Sequence, residues 1–243
     1  HSFDRKKNGY CEALTREWEE MADMRLSDKD ANERKTMNTH LHILEPYTNL
    51  FRVWKDDYLK RQLHNLVRLF IDRILDTETS HLQLFDWESP YRIISYGHDI
   101  EASWLLHEAA LVLGDKALLD EVEPRVVDIA EAATEGSLTG AGMLYEQHVD
   151  TASIDADRHW WVQAEAIVGY INLYQHFDDR LSLSRAVQCW EFVKRHLIDR
   201  ENGEWYWSLR ADGSVNRNED KAGFWKCPYH NGRMCMEIIE RFV

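Results

Sequence analysis

Long apolar runs and clusters of basic residues are both missing from this chain of 243 residues. No apolar stretch approaches the length of a membrane-spanning helix, and the first residues do not form a basic-then-apolar leader. The formal net charge is −14, so the surface repels the phosphates of nucleic acids, and no basic patch offsets this repulsion. We therefore expect neither a membrane nor a nucleic acid among the partners.

Cysteines are few as well, four in all, and none of them forms a Cys-x-x-Cys pair. Such irregular spacing favours free thiols in a reducing compartment, and we expect the protein to be cytoplasmic. Cys227, His230 and Cys235 are conceivable zinc ligands, but the sequence offers no evident fourth ligand, which a structural zinc site needs. Glycine-rich phosphate loops, nucleophile elbows and His-Glu-x-x-His motifs are also absent. The sequence therefore predicts no metal and no cofactor.

Apolar residues recur at helical spacing in seven stretches. The predicted helices run over about 37–54, 57–76, 98–113, 115–133, 158–177, 181–199 and 230–243.

Short turns join the first six helices into three pairs, whereas longer strand-like segments lie between the pairs. Segments 81–87 and 204–209 are strand-like, the second meets an Asp212-Gly213 hairpin signal, and residues 8–14 also resemble a hairpin. The pattern repeats about every 60 residues. It predicts an all-α toroid of helical hairpins with short β-hairpin loops, forming one domain over 1–243.

One histidine stands near the start of the first helix of each unit of this repeat. These histidines are His40, His98, His159 and His230. In a toroid of helix pairs the inner helices are parallel, so their N-terminal ends converge on one mouth. We therefore expect these histidine-bearing helix starts to line a single cavity.

A polar stripe runs along the first helix, which is otherwise apolar. Asn38, His42, Glu45 and Asn49 lie at i, i+4, i+7 and i+11. Such a stripe is either a solvated outer face or, on a helix buried all round, the wall of a polar lumen. His40 points away from the stripe, so His42 is the better candidate for the cavity.

Two histidines have a neighbour three residues on that could assist chemistry. Glu101 follows His98 on the same helix face, where a carboxylate can accept from one ring nitrogen and make the other more basic. The helix N-terminus acts in the opposite sense and disfavours the imidazolium. Arg233 follows His230 at the same spacing and could stabilise a developing oxyanion.

Histidine and tryptophan are abundant, with 12 and 10 copies. Tryptophans pack in cores by default, but an excess of them without a basic surface also suits a neutral, flat-faced ligand such as a sugar. Trp160, Trp161 and Trp225 adjoin the predicted helix starts. We expect at least one of these three to stack on a sugar ring.

Four sequence blocks resemble the cellobiose 2-epimerases of the N-acylglucosamine 2-epimerase superfamily. They occur in the family's order, and the resemblance runs along essentially the whole chain. The blocks are MNTHLHILE at 37–45, GHDIEASWLL at 97–106, HWWVQAE at 159–165 and FWKCPYHNGR at 224–233.

This resemblance implies a closed (α/α)6 barrel of twelve helices, of which the chain carries the C-terminal seven. The helices expected before His1 contribute an arginine and a tyrosine to the family's site, so a separate chain or segment that carries them is an expected partner. The family pattern implies that His98 and His230 are the acid/base pair on opposite faces of C2, with Glu101 supporting His98. The substrate-binding residues that it implies are Asn38, His42, Trp161, Trp225 and Arg233, and Trp160 is added to them because it adjoins Trp161.

The implied reaction is cofactor-free epimerisation at C2 of the reducing-end glucose of a neutral β-1,4-linked disaccharide, through a cis-enediolate. Cellobiose, lactose-type sugars and mannobiose all stay open as substrates. A glycosidase or lyase on the same barrel would need a carboxylate pair, drawn from Asp99, Glu101, Asp155 and Glu165. A non-catalytic sugar-binding protein is the third alternative.

Overall fold

The structure is a computed structural model that describes residues 1–25, 31–85, 92–137 and 142–243. Seven α-helices lie in these ranges, one for each predicted helix, and all but two of them begin and end within two residues of the expected bounds. None of them is both long and apolar enough to cross a membrane. The helices are α1 Met37–Val53, α2 Asp57–Leu69, α3 Tyr96–Leu113, α4 Lys116–Ala133, α5 Trp160–Phe177, α6 Arg180–Phe192 and α7 Tyr229–Phe242.

Two predicted helices, at 57–76 and 181–199, end differently from expectation. α2 continues into a π-helical turn at Phe70–Ile74, and α6 continues into a second one at Val193–Leu197. The residue after each turn, Leu75 or Ile198, pairs in a β-bridge across a short loop. The same ending therefore occurs at two equivalent places, which agrees with the predicted repeat.

Five short strands accompany the helices in the described ranges: β1 Ile93–Ser95, β2 Glu146–His148, β3 Ser153–Asp155, β4 Arg158–His159 and β5 Ser208–Leu209. β2 pairs with β3 and β4 pairs with β5, both in antiparallel register.

Strand pairing explains why α5 begins two residues later than predicted: residues 158–159 are paired with β5, opposite Leu209 and Ser208. The hairpin signal at Asp212-Gly213 is confirmed by a β-bridge between Leu209 and Val215 and by a left-handed Gly213. An antiparallel bridge near the start of the chain joins Phe3 and Tyr10, so the turn lies earlier than the hairpin predicted over residues 8–14. Part of the predicted strand 81–87 lies outside the described residues.

The chain divides into two compact units. The first comprises residues 1–94 and 105–126, and the second comprises residues 95–104 and 127–243. The single domain predicted over 1–243 stays a prediction.

In the first unit, α1 and α2 pack against each other through buried apolar side chains. Thr36 caps α1 by accepting from the backbone N–H of Thr39. Asp56 caps α2 by accepting from the N–H of Leu59. Both caps satisfy helix-end donors with local side chains, which is why the starts of these helices can be read from the sequence.

In the second unit, α5 is the central helix. Every residue from Trp160 to Leu173 is buried, and the helix packs against α6 and α7. Gly169 lies so close to the start of α3 that a Cβ there would come within 2.6 Å of the side chain of Ile100. This close approach brings polar side chains of α3 and α5 together inside an apolar unit.

Candidate active site

The second unit brings two of the predicted histidines against one tryptophan. The ring centroid of Trp161, in the first turn of α5, lies 4.7 Å from that of His98 and 5.5 Å from that of His230. His98 is half-buried, and the side chain of His230 is 16% exposed. The indole fits there because residue 97 is glycine: a Cβ at Gly97 would come 2.6 Å from the Trp161 ring.

His98 is held from the preceding strand. Its Nδ1 lies 2.8 Å from the hydroxyl oxygen of Ser95, the last residue of β1, and Ser95 is buried. A hydroxyl can donate to or accept from this nitrogen, so the contact fixes the ring orientation without fixing the tautomer. The predicted support of His98 by Glu101 stays a prediction, and the contacts described below tie Glu101 to Arg233 and His230.

His230 is held by a buried carboxylate. Its Nδ1 lies 2.7 Å from Oε1 of Glu165 and 3.9 Å from Oε1 of Glu101. The other oxygen of Glu165 accepts from the indole N–H of Trp104 at 3.2 Å. An ionised carboxylate can only accept, so Nδ1 of His230 carries the proton of this bond. Nε2 is then the ring nitrogen that can act as an acceptor.

Arg233 joins the two carboxylates. Its Nη2 lies 2.6 Å from Oε1 of Glu101 and 2.7 Å from Oε1 of Glu165, and both carboxylates are fully buried. Its Nη1 donates to the hydroxyl of Tyr229 at 2.6 Å. The guanidinium also lies over the rings of Tyr229 and Trp104, at 4.5 and 5.0 Å. The guanidinium of Arg233 is thus shared by the two buried carboxyl groups of Glu101 and Glu165.

The pKa values of the two carboxyl groups shift in opposite directions, although Arg233 lowers both. Burial raises the pKa of Glu101 to about 7, and repulsion by Glu165 adds to this effect, although Arg233 and His230 oppose it. Burial alone would also raise the pKa of Glu165, but the charge of Arg233 and the hydrogen bond from His230 outweigh it and lower the pKa to about 2. Near neutral pH, Glu165 is therefore the permanent anion and Glu101 is the group that titrates.

The sequence model of the N-acylglucosamine 2-epimerase family matches residues 9–232. The chain belongs to this family.

Relatives in this family agree with the fold. The cellobiose 2-epimerase of Bacteroides fragilis is 69% identical over 242 residues, a match that covers 98% of this chain and 62% of that protein. The solved cellobiose 2-epimerase of Bacillus thermoamylovorans is 43% identical, with a TM-score of 0.90 over 99% of this chain and 62% of that one. A solved sugar epimerase from a ruminal bacterium is 38% identical, with a TM-score of 0.91 over 97% of this chain and 61% of that one.

These similarities confirm the predicted fold class, the C-terminal seven helices of an (α/α)6 barrel. The chain spans about 60% of the length of the curated relatives that it matches.

A metal would have to compete with Arg233 in this family member. Among the described residues, Glu101, Glu165 and His230 offer ligand atoms within 4.8 Å of one another. The guanidinium of Arg233 already contacts both carboxylates, and a divalent ion there would meet its repulsion. The zinc reading of Cys227, His230 and Cys235 gains no support, because both cysteines are exposed and Nδ1 of His230 lies on Glu165. The predicted absence of a metal stays a prediction.

The other two predicted tryptophans lie in different surroundings. Trp160 is only 3% exposed, and its ring centroid lies 4.5 Å from that of Trp207 and 6.4 Å from that of His230. Trp225 is 45% exposed and contacts the exposed Phe224 edge-on. Their predicted roles in sugar binding stay predictions, as does that of Trp161.

The first unit holds the remaining predicted residues. Asn38 and His42 are half-buried on α1. His40 is buried: its Nε2 accepts from the N–H of Tyr10 at 2.9 Å, and its Nδ1 lies 2.6 Å from the carbonyl oxygen of Thr36. Backbone groups thus occupy both ring nitrogens, so His40 stabilises the fold. His42, and not His40, is the residue that the sequence favours for the cavity, and that preference stays a prediction.

Several members of the cluster are not singled out by the sequence as epimerase residues. Glu165 enters only as a glycosidase candidate, although a lone carboxylate inside the apolar stretch of α5 is itself a signal of a buried polar role. Tyr145 stacks on His159 at 3.9 Å and contacts Trp161 edge-on at 6.3 Å. Ser95 stands three residues before His98, so this contact is local, whereas no local spacing connects Tyr145 to His159 or Trp161.

Proposed function

We propose that this chain carries the acid/base machinery of an epimerase that inverts C2 of the reducing-end sugar of a β-1,4-linked disaccharide. The observation that carries the proposal is the placement of His98 and His230 against the same indole, each with its Nδ1 held by a neighbouring side chain. The two imidazoles come from different helices and meet one aromatic ring, which is a surface suited to a sugar.

The proposed reaction begins with opening of the reducing-end ring, since the free C1 carbonyl acidifies the proton on C2. One imidazole removes this proton, and the electron pair of the C2–H bond enters a C1–C2 enediolate whose negative charge rests on O1. Rotation about C2–C3 then presents the opposite face. The second ring, as imidazolium, returns a proton to C2, and the charge on O1 collapses back to the carbonyl. The substrate is neither oxidised nor reduced overall, so the reaction needs no redox cofactor.

Within this reaction Glu165 and Arg233 prepare His230. Glu165 keeps the proton on Nδ1, so Nε2 is the nitrogen available to C2. The sequence predicts that Arg233 stabilises the oxyanion and binds substrate. Its contacts with Glu101, Glu165 and Tyr229 support a further role, in which it keeps Glu165 ionised beside His230.

The choice of substrate is supported by several relatives that are cellobiose 2-epimerases. We propose cellobiose as the reference substrate, with mannobiose as the alternative within the same chemistry. Parallel assays of the two disaccharides on the natural full-length protein decide between them.

Deuterium incorporation tests the proposal directly. With cellobiose in deuterated water, we expect deuterium at C2 of both the glucose-type and mannose-type reducing ends. His98→Ala and His230→Ala should each lower the exchange rate by about 100-fold or more, the usual share of a general acid or base. The exposed His196 gives a matched control, and His196→Ala should leave the rate unchanged. Epimerisation without deuterium at C2, or near-normal rates in both histidine variants, would contradict the mechanism.

The glycosidase alternative is weaker because two of its candidate carboxylates, Glu101 and Glu165, both contact Arg233. Glu101 and Glu165 are fully buried and share the guanidinium of Arg233. A glycosidase needs two carboxyl groups that flank a glycosidic bond. Release of monosaccharide from cellobiose would favour this alternative over epimerisation.

A further inference from the structure

The start of α7 needs an anchor beyond its own residues. Its first residues are Tyr229 and His230, and the N-cap position is occupied by Pro228. A proline side chain has no polar atom that could accept from the first-turn N–H groups. A helix end without such a cap frays more easily, yet His230 in the proposed mechanism must hold one orientation.

A buried polar network outside the carboxylate cluster supplies this anchor. The side-chain amide of Asn231 donates to Oε1 of Glu204 at 2.9 Å, and the ammonium of Lys226 donates to the same oxygen at 2.9 Å. Lys226 also donates to the carbonyl oxygen of Lys221 at 2.8 Å. The side chain of Lys226 is fully buried, and its nitrogen lies 5.2 Å from the ring centroid of Trp160. These bonds tie the segment before α7 to its first turn.

This network contacts a different side of α7 from the side that the carboxylate cluster contacts. Successive residues of an α-helix are rotated by about 100°, so Asn231 projects to a different side of α7 from His230. Arg233, three residues after His230, shares its side and reaches Glu165 as His230 does. Glu165 therefore holds one side of the helix and Glu204 holds another. Two anchors in different directions fix the rotation of the helix start, which one anchor alone does not.

The backbone of Glu204 gives a second, independent sign that its side chain is needed. Its φ is +62°, in the left-handed region that favours glycine. Non-glycine residues persist there at an energetic cost when the surrounding structure requires them. The side chain of Glu204 is 33% exposed, but two of its donors, Lys226 and Asn231, are buried. Position 204 thus carries a glutamate, although glycine would relieve the backbone strain there.

We propose that Lys226, Glu204 and Asn231 are positioning residues for His230: the network fixes the rotation of the α7 start so that the imidazole keeps its place at the reacting carbon. Lys226 holds the carboxylate of Glu204, and Glu204 holds Asn231, which directly follows His230. In this proposal none of the three residues contacts the substrate. The inference rests on the proposed function for its catalytic consequence, but the orientation of His230 can be measured without turnover.

The experiment uses the natural full-length protein with Asn231→Ala and Lys226→Met. Lys194→Met is the matched control, because Lys194 also pairs with a glutamate, Glu191, and lies over an indole, that of Trp190, far along the chain from α7. We expect kcat on cellobiose to fall on the order of tenfold in the two test variants, with KM within about twofold, because a displaced catalytic group mainly affects the chemical step. The control should match the wild type.

A second readout is independent of activity. The proton on Nδ1 of His230, bonded to Glu165, is followed by ¹H–¹⁵N NMR, and its resonance should move or broaden in both test variants but not in Lys194→Met. Glu204→Gln keeps the oxygen that accepts from Asn231 and tests the network if the other variants fail to fold; it should shift the resonance and lower kcat by a smaller factor. Folded variants with unchanged kcat and an unchanged resonance would overturn the inference. A wild-type protein without turnover would instead refute the proposed function, and the resonance would still test the positioning.

Discussion

The Nδ1 of His230 lies 2.7 Å from Oε1 of Glu165, a carboxylate that is fully buried and carries a pKa lowered to about 2. Burial alone would have raised that pKa, so the cationic and hydrogen-bonding partners of Glu165 outweigh the loss of hydration. A permanent anion at this nitrogen fixes one tautomer of the ring. The other nitrogen, Nε2, is then the one that can accept a proton.

The bond between His230 and Glu165 gives the first prediction. Glu165→Gln replaces a charge-assisted hydrogen bond by a neutral one, a difference of roughly 1–2 kcal/mol, and should lower kcat for C2 exchange about tenfold. KM should change little, because Glu165 is fully buried. Steady-state kinetics beside Glu201→Gln, a change of the same type at an exposed residue, checks this. Equal kinetics in the two variants would refute the role of Glu165.

Glu101 makes stability depend on pH near neutrality. Its pKa is about 7 in the folded protein against an ordinary 4.5, so the folded state retains a proton that the unfolded chain has already released. The stabilisation is fully present below about pH 4.5 and is lost as pH rises through 7, a change of a few kcal/mol, on the order of 3. Glu165 contributes in the opposite sense, since its stabilisation is lost only as pH falls toward 2.

Denaturant unfolding of the wild type and of Glu101→Gln at several pH values between 5 and 8 checks the pH prediction. The wild type should lose stability across this window, and the variant, which has no proton to release at residue 101, should show a flatter curve. Parallel curves for the two proteins would show that another group titrates there.

Arg233 should keep metal ions out of the carboxylate cluster. Chelation by EDTA is expected to leave both the melting temperature and the C2 exchange rate unchanged. Arg233→Ala removes the cation that two buried carboxylates share and should destabilise the fold by about 3–5 kcal/mol. Without the guanidinium, the ligand atoms that Glu101, Glu165 and His230 offer within 4.8 Å of one another should bind a divalent ion. Zn²⁺ should therefore raise the melting temperature of Arg233→Ala selectively, and equal effects of Zn²⁺ on the wild type would argue against this role.

His40 should differ from the two proposed acid/base histidines. His40→Ala leaves the buried N–H of Tyr10 without its acceptor and should destabilise the fold by about 1–3 kcal/mol. At a temperature where the variant is folded, kcat should equal that of the wild type. His98→Ala and His230→Ala should instead lose exchange even at a temperature where each variant is folded. Loss of exchange in His40→Ala at full stability would show that its role is chemical.

The sequence by itself determined the helices, the repeat and two of the residues against the central indole. Apolar periodicity and capping side chains are local properties, so all seven helices were predicted, and Asp56 begins α2 by a bond to a residue three positions away. His98 and His230 could be named because both stand at helix starts of a repeat, and a repeat places equivalent residues in equivalent surroundings. The family resemblance points to the same two histidines, His98 and His230.

Only the tertiary structure decided how these residues are paired. Local spacing predicted that Glu101 contacts His98. The described partners of Glu101, however, include Arg233, 132 residues away. Spacing also made His40 equivalent to His98 and His230, whereas a glycine-bearing loop at 8–10 places a backbone N–H on its ring. The physical reason is the same in both cases. A buried charge or ring nitrogen takes the partner that best compensates its lost hydration, and which partners come within reach is set by long-range packing.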